Sequence, residues 1–205
     1  MADEGAEDAG GAQAPRTGSA VGWAIELVKT LVLTVVIFLV VQTFVVQPFQ
    51  VRQHSMEQTF VEGQYVLVDR LSHLWSPYAR GQVIVFRPPA SFTDRTDPLI
   101  KRVIGLAGDT VEVRDDGDVY VNGVRLDEPY LFRNDAGVAE PTEAGSETRL
   151  VVPAGDLFVM GDHRAVSEDS RFFGPIPVST VIGRGVLRYW PLSAFSLIET
   201  PTYAP

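Results

Sequence analysis

The chain has 205 residues, 45% of them hydrophobic, with no cysteine and a formal net charge of −9. That length leaves room for one domain and an anchor. The ordinary apolar content excludes a polytopic membrane protein, and the lack of cysteine excludes disulfides, zinc–thiolate sites and a cysteine nucleophile. Residues 1–47 hold 2 basic and 5 acidic residues and the remainder 15 and 21. Neither part is basic enough to attract a phosphate backbone, so nucleic acid is not expected as a partner.

Residues 1–20 are rich in Gly, Ala and acidic side chains. Such a segment cannot offset its chain entropy by burial and is expected to be a disordered tail. From Thr30 to Val51 there follow 22 residues without a charge. As a helix they would rise about 33 Å, enough for a hydrocarbon core of about 30 Å. The pattern predicts a transmembrane helix over 21–47, with Glu26 and Lys29 paired on its first turns, Trp23 at headgroup level and Pro48 at its end. No small-residue cleavage site follows, which argues against a removed signal peptide. β-branched residues all round argue against a buried soluble helix. Arg16 and Lys29 precede the span and Arg52 follows it, which tips the N-terminus to the cytoplasmic side of the cell membrane and residues 48–205 to the outer face.

Beyond Pro48 the pattern becomes that of strands. Gln64–Asp69, Gln82–Phe86, Thr110–Arg114 and Asp118–Asn122 alternate, while Leu157–Met160 and Val181–Leu187 are short and apolar. Turn pairs separate them, and Asn122-Gly123 between apolar segments predicts a tight hairpin. An all-β domain, curled or barrel-like, is the expected fold class. Residues 133–148 are polar and weakly patterned and are expected as an exposed excursion.

Four stretches carry candidate chemistry: Gln53-His54-Ser55-Met56-Glu57-Gln58-Thr59-Phe60; Gly63-Gln64-Tyr65-Val66-Leu67-Val68; Lys101-Arg102-Val103-Ile104-Gly105-Leu106-Ala107-Gly108-Asp109; and Met160-Gly161-Asp162-His163-Arg164 with Ser167-Glu168-Asp169-Ser170-Arg171. Together, and in this order, they resemble the bacterial type I signal peptidase family. The resemblance implies curled antiparallel sheets, a fold shared with the SOS-repressor proteases, behind one N-terminal transmembrane helix. It implies that Ser55 attacks the scissile carbonyl, that Lys101 takes its proton, and that Ser167 orients the lysine amine. Asp162, Arg164, Asp169 and Arg171 would brace the site by hydrogen bonds. The oxyanion would meet the Ser55 backbone N–H, with the Gln53 amide a second candidate. The substrate would be the signal peptide of an exported preprotein, cut after a small-x-small site and bound as an added strand. Val51, Met56, Phe60 and Ile100 flank the dyad and are candidate pocket walls, with ordinary core as the equal alternative. The lipid bilayer is the other expected partner, and no metal or organic cofactor is implied.

The chemistry asks for these residue types. A serine hydroxyl needs a base, and a lysine serves only when neutral. Its reference pKa is about 10.4, so an apolar pocket must lower it; a fall to about 8 corresponds to roughly 3 kcal/mol. Leu99, Ile100, Val103 and Ile104 around Lys101 suit that task. Taken singly, Ser55 could be a helix cap and Lys101 a solvated charge. His54, His73 and His163 form no metal-binding pattern, and His163 is read as structural, in a place where many relatives carry Asn. Four further departures from the family pattern are Gln53 for a Ser or Gly, Gln58 for a Pro, Gln64 for an Asp and Ala107 for a Pro. The first two leave room for a catalytically dead relative that binds signal peptides or secretion partners. A soluble Ser–Lys autoprotease of the SOS-repressor type conflicts with the span, and a purely structural β-domain leaves the Ser–Lys stretches unexplained.

Overall fold

A computed structural model describes residues 20–89 and 97–203 of the chain. All but the last residue of the expected disordered tail lies outside them. The chain divides into two compact units, an N-terminal one ending at Val40 and a second from Val41 onward.

In the first unit, α1 is an α-helix over Ala20–Val40, with a mean hydropathy of 2.2 and no buried residue. Its 21 residues rise about 31 Å, so it is long and apolar enough to cross a membrane. Lys29 Nζ lies 2.9 Å from Glu26 Oε1, as the spacing predicts. The helix ends eight residues before Pro48. A wider π-type turn takes Val41–Val45, and Val46–Gln50 is already a strand. The uncharged run therefore serves two structures. Its last residues leave the helix because they find backbone partners in the sheet.

The second unit contains strands β1 Val46–Gln50, β2 Tyr65–Asp69, β3 Val83–Phe86, β4 Leu99–Gly105, β5 Thr110–Val113, β6 Val119–Val121, β7 Val124–Arg125, β8 Arg149–Val151 and β9 Asp156–Met160, then the short helix α2 Ser170–Phe173, and strands β10 Ile176–Pro177, β11 Val181–Trp190 and β12 Ser196–Leu197. The larger sheet runs β1-β2-β11-β3-β4-β9-β10, with β12 on β11; the smaller runs β7-β6-β5-β8. All pairings are antiparallel. The fold class is thus all-β, with one apolar N-terminal helix. Register shifts in β11 and β4 mark the irregularities that help a sheet to curl. Val121 pairs with Val124 across Asn122 (φ 55°) and Gly123 (φ 82°), the two left-handed residues that a tight hairpin needs.

Among the described residues, three apolar clusters fill the interior. One of them joins Val51, Met56, Phe60, Val66, Val68, Val83, Val85 and Ile100. It positions the segment after β1. Val51 N–H donates to Gln64 O and Gly63 N–H to Val51 O, which continues the β1–β2 pairing and closes a loop over 52–62. The polar excursion is exposed only in part: Thr142 is buried, and Glu140 and Glu143 contact residues 163 and 171.

Candidate active site

The closed loop carries Ser55 in a three-residue 3-10 turn, His54–Met56. Met56 anchors it in the core beneath. Lys101 lies on β4, between β3 and β9 in the sheet, where Ile84 is its partner across the strand pair. Lys101 Nζ and Ser55 Oγ meet at 2.5 Å, with the lysine 1% and the serine 4% exposed. Burial pushes the lysine pKa down to about 8. Asp169 and Asp162 oppose that shift and Arg171 adds to it. The drop corresponds to about 3 kcal/mol of preference for the neutral amine. A hydroxyl one hydrogen bond from a largely desolvated amine is the arrangement that a nucleophile and its base require.

The stretch after β9 lies against both residues. Met160 pairs with Arg102 on β4, so the chain leaves the sheet beside Lys101. Gly161 then passes so close to Ser55 and Ser167 that a Cβ there would collide with the Ser55 carbonyl oxygen and the Ser167 side chain. His163 N–H donates to that same carbonyl at 3.0 Å. Asp169 accepts from the Gly161 N–H (3.0 Å), from the Ser167 hydroxyl (2.7 Å) and from Arg171 through Nε and Nη2 (2.8 and 2.9 Å). Despite full burial, hydrogen bonds from Arg171 and its neighbours hold the Asp169 carboxyl below its ordinary range. Asp162 accepts from Arg102 through Nε and Nη2, and from the Thr59 hydroxyl at 2.5 Å. Arg164 reaches Glu128, Thr142 and the Gly161 carbonyl. Asp162, Arg164, Asp169 and Arg171 thus sit in a buried frame around the Ser55–Lys101 pair.

A cleft of about 430 Å³ opens beside this frame, lined by Gln47–Gln50, Arg52, Gln53, Asp97, Pro98 and Ile100. One wall is β1, the outermost strand of its sheet. Of the four candidate pocket walls, Val51, Met56 and Phe60 lie in the core cluster with at most 1% exposure; Ile100 belongs to the same cluster and also lines the cleft. Among the described residues, no group of three or more His, Asp or Glu side chains is arranged to hold a metal ion.

The sequence profile of the family described as "Signal peptidase, peptidase S26" matches residues 24–190. The chain belongs to that family. It is accordingly a serine-type hydrolase of the signal peptidase I kind. Signal peptidase IB of Staphylococcus aureus strain MRSA252 is 34% identical over 188 residues, covering 86% of this chain and 95% of the relative. Signal peptidase I of Leptolyngbya laminosa is 35% identical over 181 residues, covering 86% and 85%. The crystal structure of a signal peptidase I from Enterococcus faecalis V583 is 35% identical, with a TM-score of 0.41 over 53% of this chain and 97% of that one.

Four members of the frame have no role that the sequence motifs assign. Arg102 lies next to Lys101 in the signal peptidase stretch and would pass for a surface charge. Glu128 and Thr142 lie far from every motif, in polar segments, and only the tertiary fold brings them to Arg164. Thr59 lies inside the serine stretch, but its hydrogen bond to Asp162 spans 103 positions.

Proposed function

We propose that this chain is a membrane-anchored endopeptidase that removes signal peptides from exported preproteins, with Ser55 as nucleophile and Lys101 as general base. The observation that carries the reading is the 2.5 Å approach of Lys101 Nζ to Ser55 Oγ in a buried site that lowers the lysine pKa to about 8. In the first step Ser55 Oγ bonds to the scissile carbonyl carbon and its proton passes to Lys101 Nζ. The oxyanion faces the Ser55 N–H and the Gln53 side chain. Lys101 then gives its proton to the leaving amine, and an acyl-enzyme remains on Ser55. Water, deprotonated by Lys101, releases it. The Ser167 hydroxyl uses its one proton on Asp169, which leaves its lone pairs to accept from the lysine amine and orient it. Asp162, Arg164, Asp169 and Arg171 hold these groups in place.

The substrate strand lies along the free edge of β1 and places alternate side chains in the cleft, where Ile100 meets a small residue before the cut. The small-x-small preference follows from the family resemblance. Helix α1 crosses the bilayer once, with its N-terminus in the cytoplasm and the second unit on the outer face. Preproteins are themselves held in that bilayer, so anchoring raises the effective concentration of enzyme and substrate. The test is cleavage of a membrane-inserted preprotein in detergent by wild type and by Lys101→Ala. Cleavage by wild type alone, after a small-x-small site, supports the reading; binding without cleavage by both would overturn it.

A further inference from the structure

A single 3-10 turn is a weak mount for a nucleophile. The turn at Ser55 is closed by the Glu57 N–H to His54 O bond at 3.0 Å, and Gln58 behind it lies at φ 89°, where no proline ring could stiffen the chain. The turn must therefore be held from outside.

The Glu57 carboxylate makes two of the ties around it. Its Oε1 is 2.6 Å from His54 Nδ1, and its Oε2 is 2.9 Å from His163 Nδ1. His54 immediately precedes the nucleophile. His163 is the residue whose backbone N–H holds the Ser55 carbonyl. One carboxylate thus spans the turn across Ser55, from Glu57 back to His54, and ties it to the facing loop at His163. The His163 ring is fixed in turn: it stacks on Phe132 with centroids 3.9 Å apart, and its Nε2 is 3.3 Å from Glu140. Hydrogen bonding, first from His54, holds the Glu57 carboxyl below its ordinary range, so it stays an acceptor for both rings.

We infer that Glu57 is a positioning residue for the reaction, its carboxylate clasping His54 and His163 so that the turn keeps Ser55 against Lys101. The inference rests on the Ser55–Lys101 reading above. It predicts a loss in the chemical step rather than in substrate capture, because none of His54, Glu57 and His163 is among the residues that line the cleft.

Full-length enzyme in detergent, cleaving a preprotein, provides the test. Glu57→Ala lowers kcat about tenfold and leaves KM within about twofold, since small displacements of a reacting group cost rate steeply. Glu57→Gln recovers most of kcat, because its amide can donate to His163 Nδ1 while Nε2–H turns to Glu140. His163→Ala keeps the backbone N–H and shows a loss similar to Glu57→Ala. The double variant loses no more than either single one, as expected for two halves of one contact. A kcat for Glu57→Ala equal to wild type, a loss carried by KM, or single losses that multiply in the double variant would overturn the inference and leave the dyad untouched. A wild type that cuts nothing, or a Lys101→Ala variant that cuts, would overturn the dyad and this inference with it.

Discussion

Arg102 and Asp162 meet through two parallel hydrogen bonds, Nε to Oδ1 at 2.8 Å and Nη2 to Oδ2 at 2.7 Å, with neither side chain more than 2% exposed. Arg102 also donates to the Gly81 carbonyl and the Thr59 hydroxyl, and lies 4.0 Å over the Tyr130 ring. The pair ties the lysine strand, the end of the serine stretch and the loop after β9 into one body. Asp162→Asn leaves the guanidinium buried with its counter-charge gone and only one of the two acceptor oxygens left. It should destabilise the fold by about 3 kcal/mol, as breaking a buried pair typically does. Arg102→Met with Asp162→Leu removes both charges and should recover much of that loss in a urea melt. The double variant should remain slow in cleavage, because the Thr59 hydroxyl then loses both of its partners.

Gln58 stands where the family pattern leads one to expect proline, yet its φ of 89° is one that proline cannot adopt. A proline at this position should therefore harm the turn. Gln58→Pro is expected to cost about 3 kcal/mol and most of the activity. Gln58→Gly relieves a left-handed strain of about 1 kcal/mol and offsets that with added unfolded-state entropy, for a net change near zero. Thermal melts and kcat of the two variants separate these outcomes; a stabilised, fully active Gln58→Pro would show that the turn is mobile in solution.

Much of this architecture is legible in the sequence. The alternating stretches become β2, β3, β5 and β6, and the two apolar ones become β9 and β11. The strand that carries Lys101 is not legible as a strand. All seven residues of β4 are buried, so it lacks the alternation of a strand with one wet face, and its Lys-Arg pair imitates a surface. Strand β1 is hidden by the apolar run that feeds the helix, and β7, β8, β10 and β12 are too short to show a period. Of the site, the Ser55–Lys101 pairing and the acidic and basic residues around it are visible through the family resemblance. Their partners in space are not. Nothing local couples Arg164 to Glu128, or His163 to Glu57 across 106 positions.

Under the proposed Ser55–Lys101 mechanism, the lysine pKa sets the pH dependence of cleavage. Only the neutral amine can take the Ser55 proton, and the neutral fraction grows as pH rises toward about 8. The rate should therefore climb about tenfold per pH unit well below that midpoint and level off above it. The measurement is kcat/KM for a preprotein between about pH 6 and 10. A flat profile would count against a lysine base.

The same lysine should weaken the fold that houses it. Its folded pKa of about 8 lies below its unfolded value, near 10.4. Above about pH 10.4 the amine is neutral in both states and its burial carries no charge penalty. Between the two values the unfolded chain holds a proton that the folded chain has lost, so stability rises with pH across that window. Below about pH 8 the folded protein carries the full cost of a buried ammonium, about 3 kcal/mol. Lys101→Met has a similar volume and no charge. It should abolish cleavage and yet stabilise the protein by about 2 kcal/mol at pH 7, with the gain shrinking as the pH is raised from about 8 to 10. Urea melts of both proteins at pH 7 and pH 10 test this. An inactive variant no more stable than wild type at pH 7 would mean that the lysine is solvated in the folded state and that its reactivity has another source.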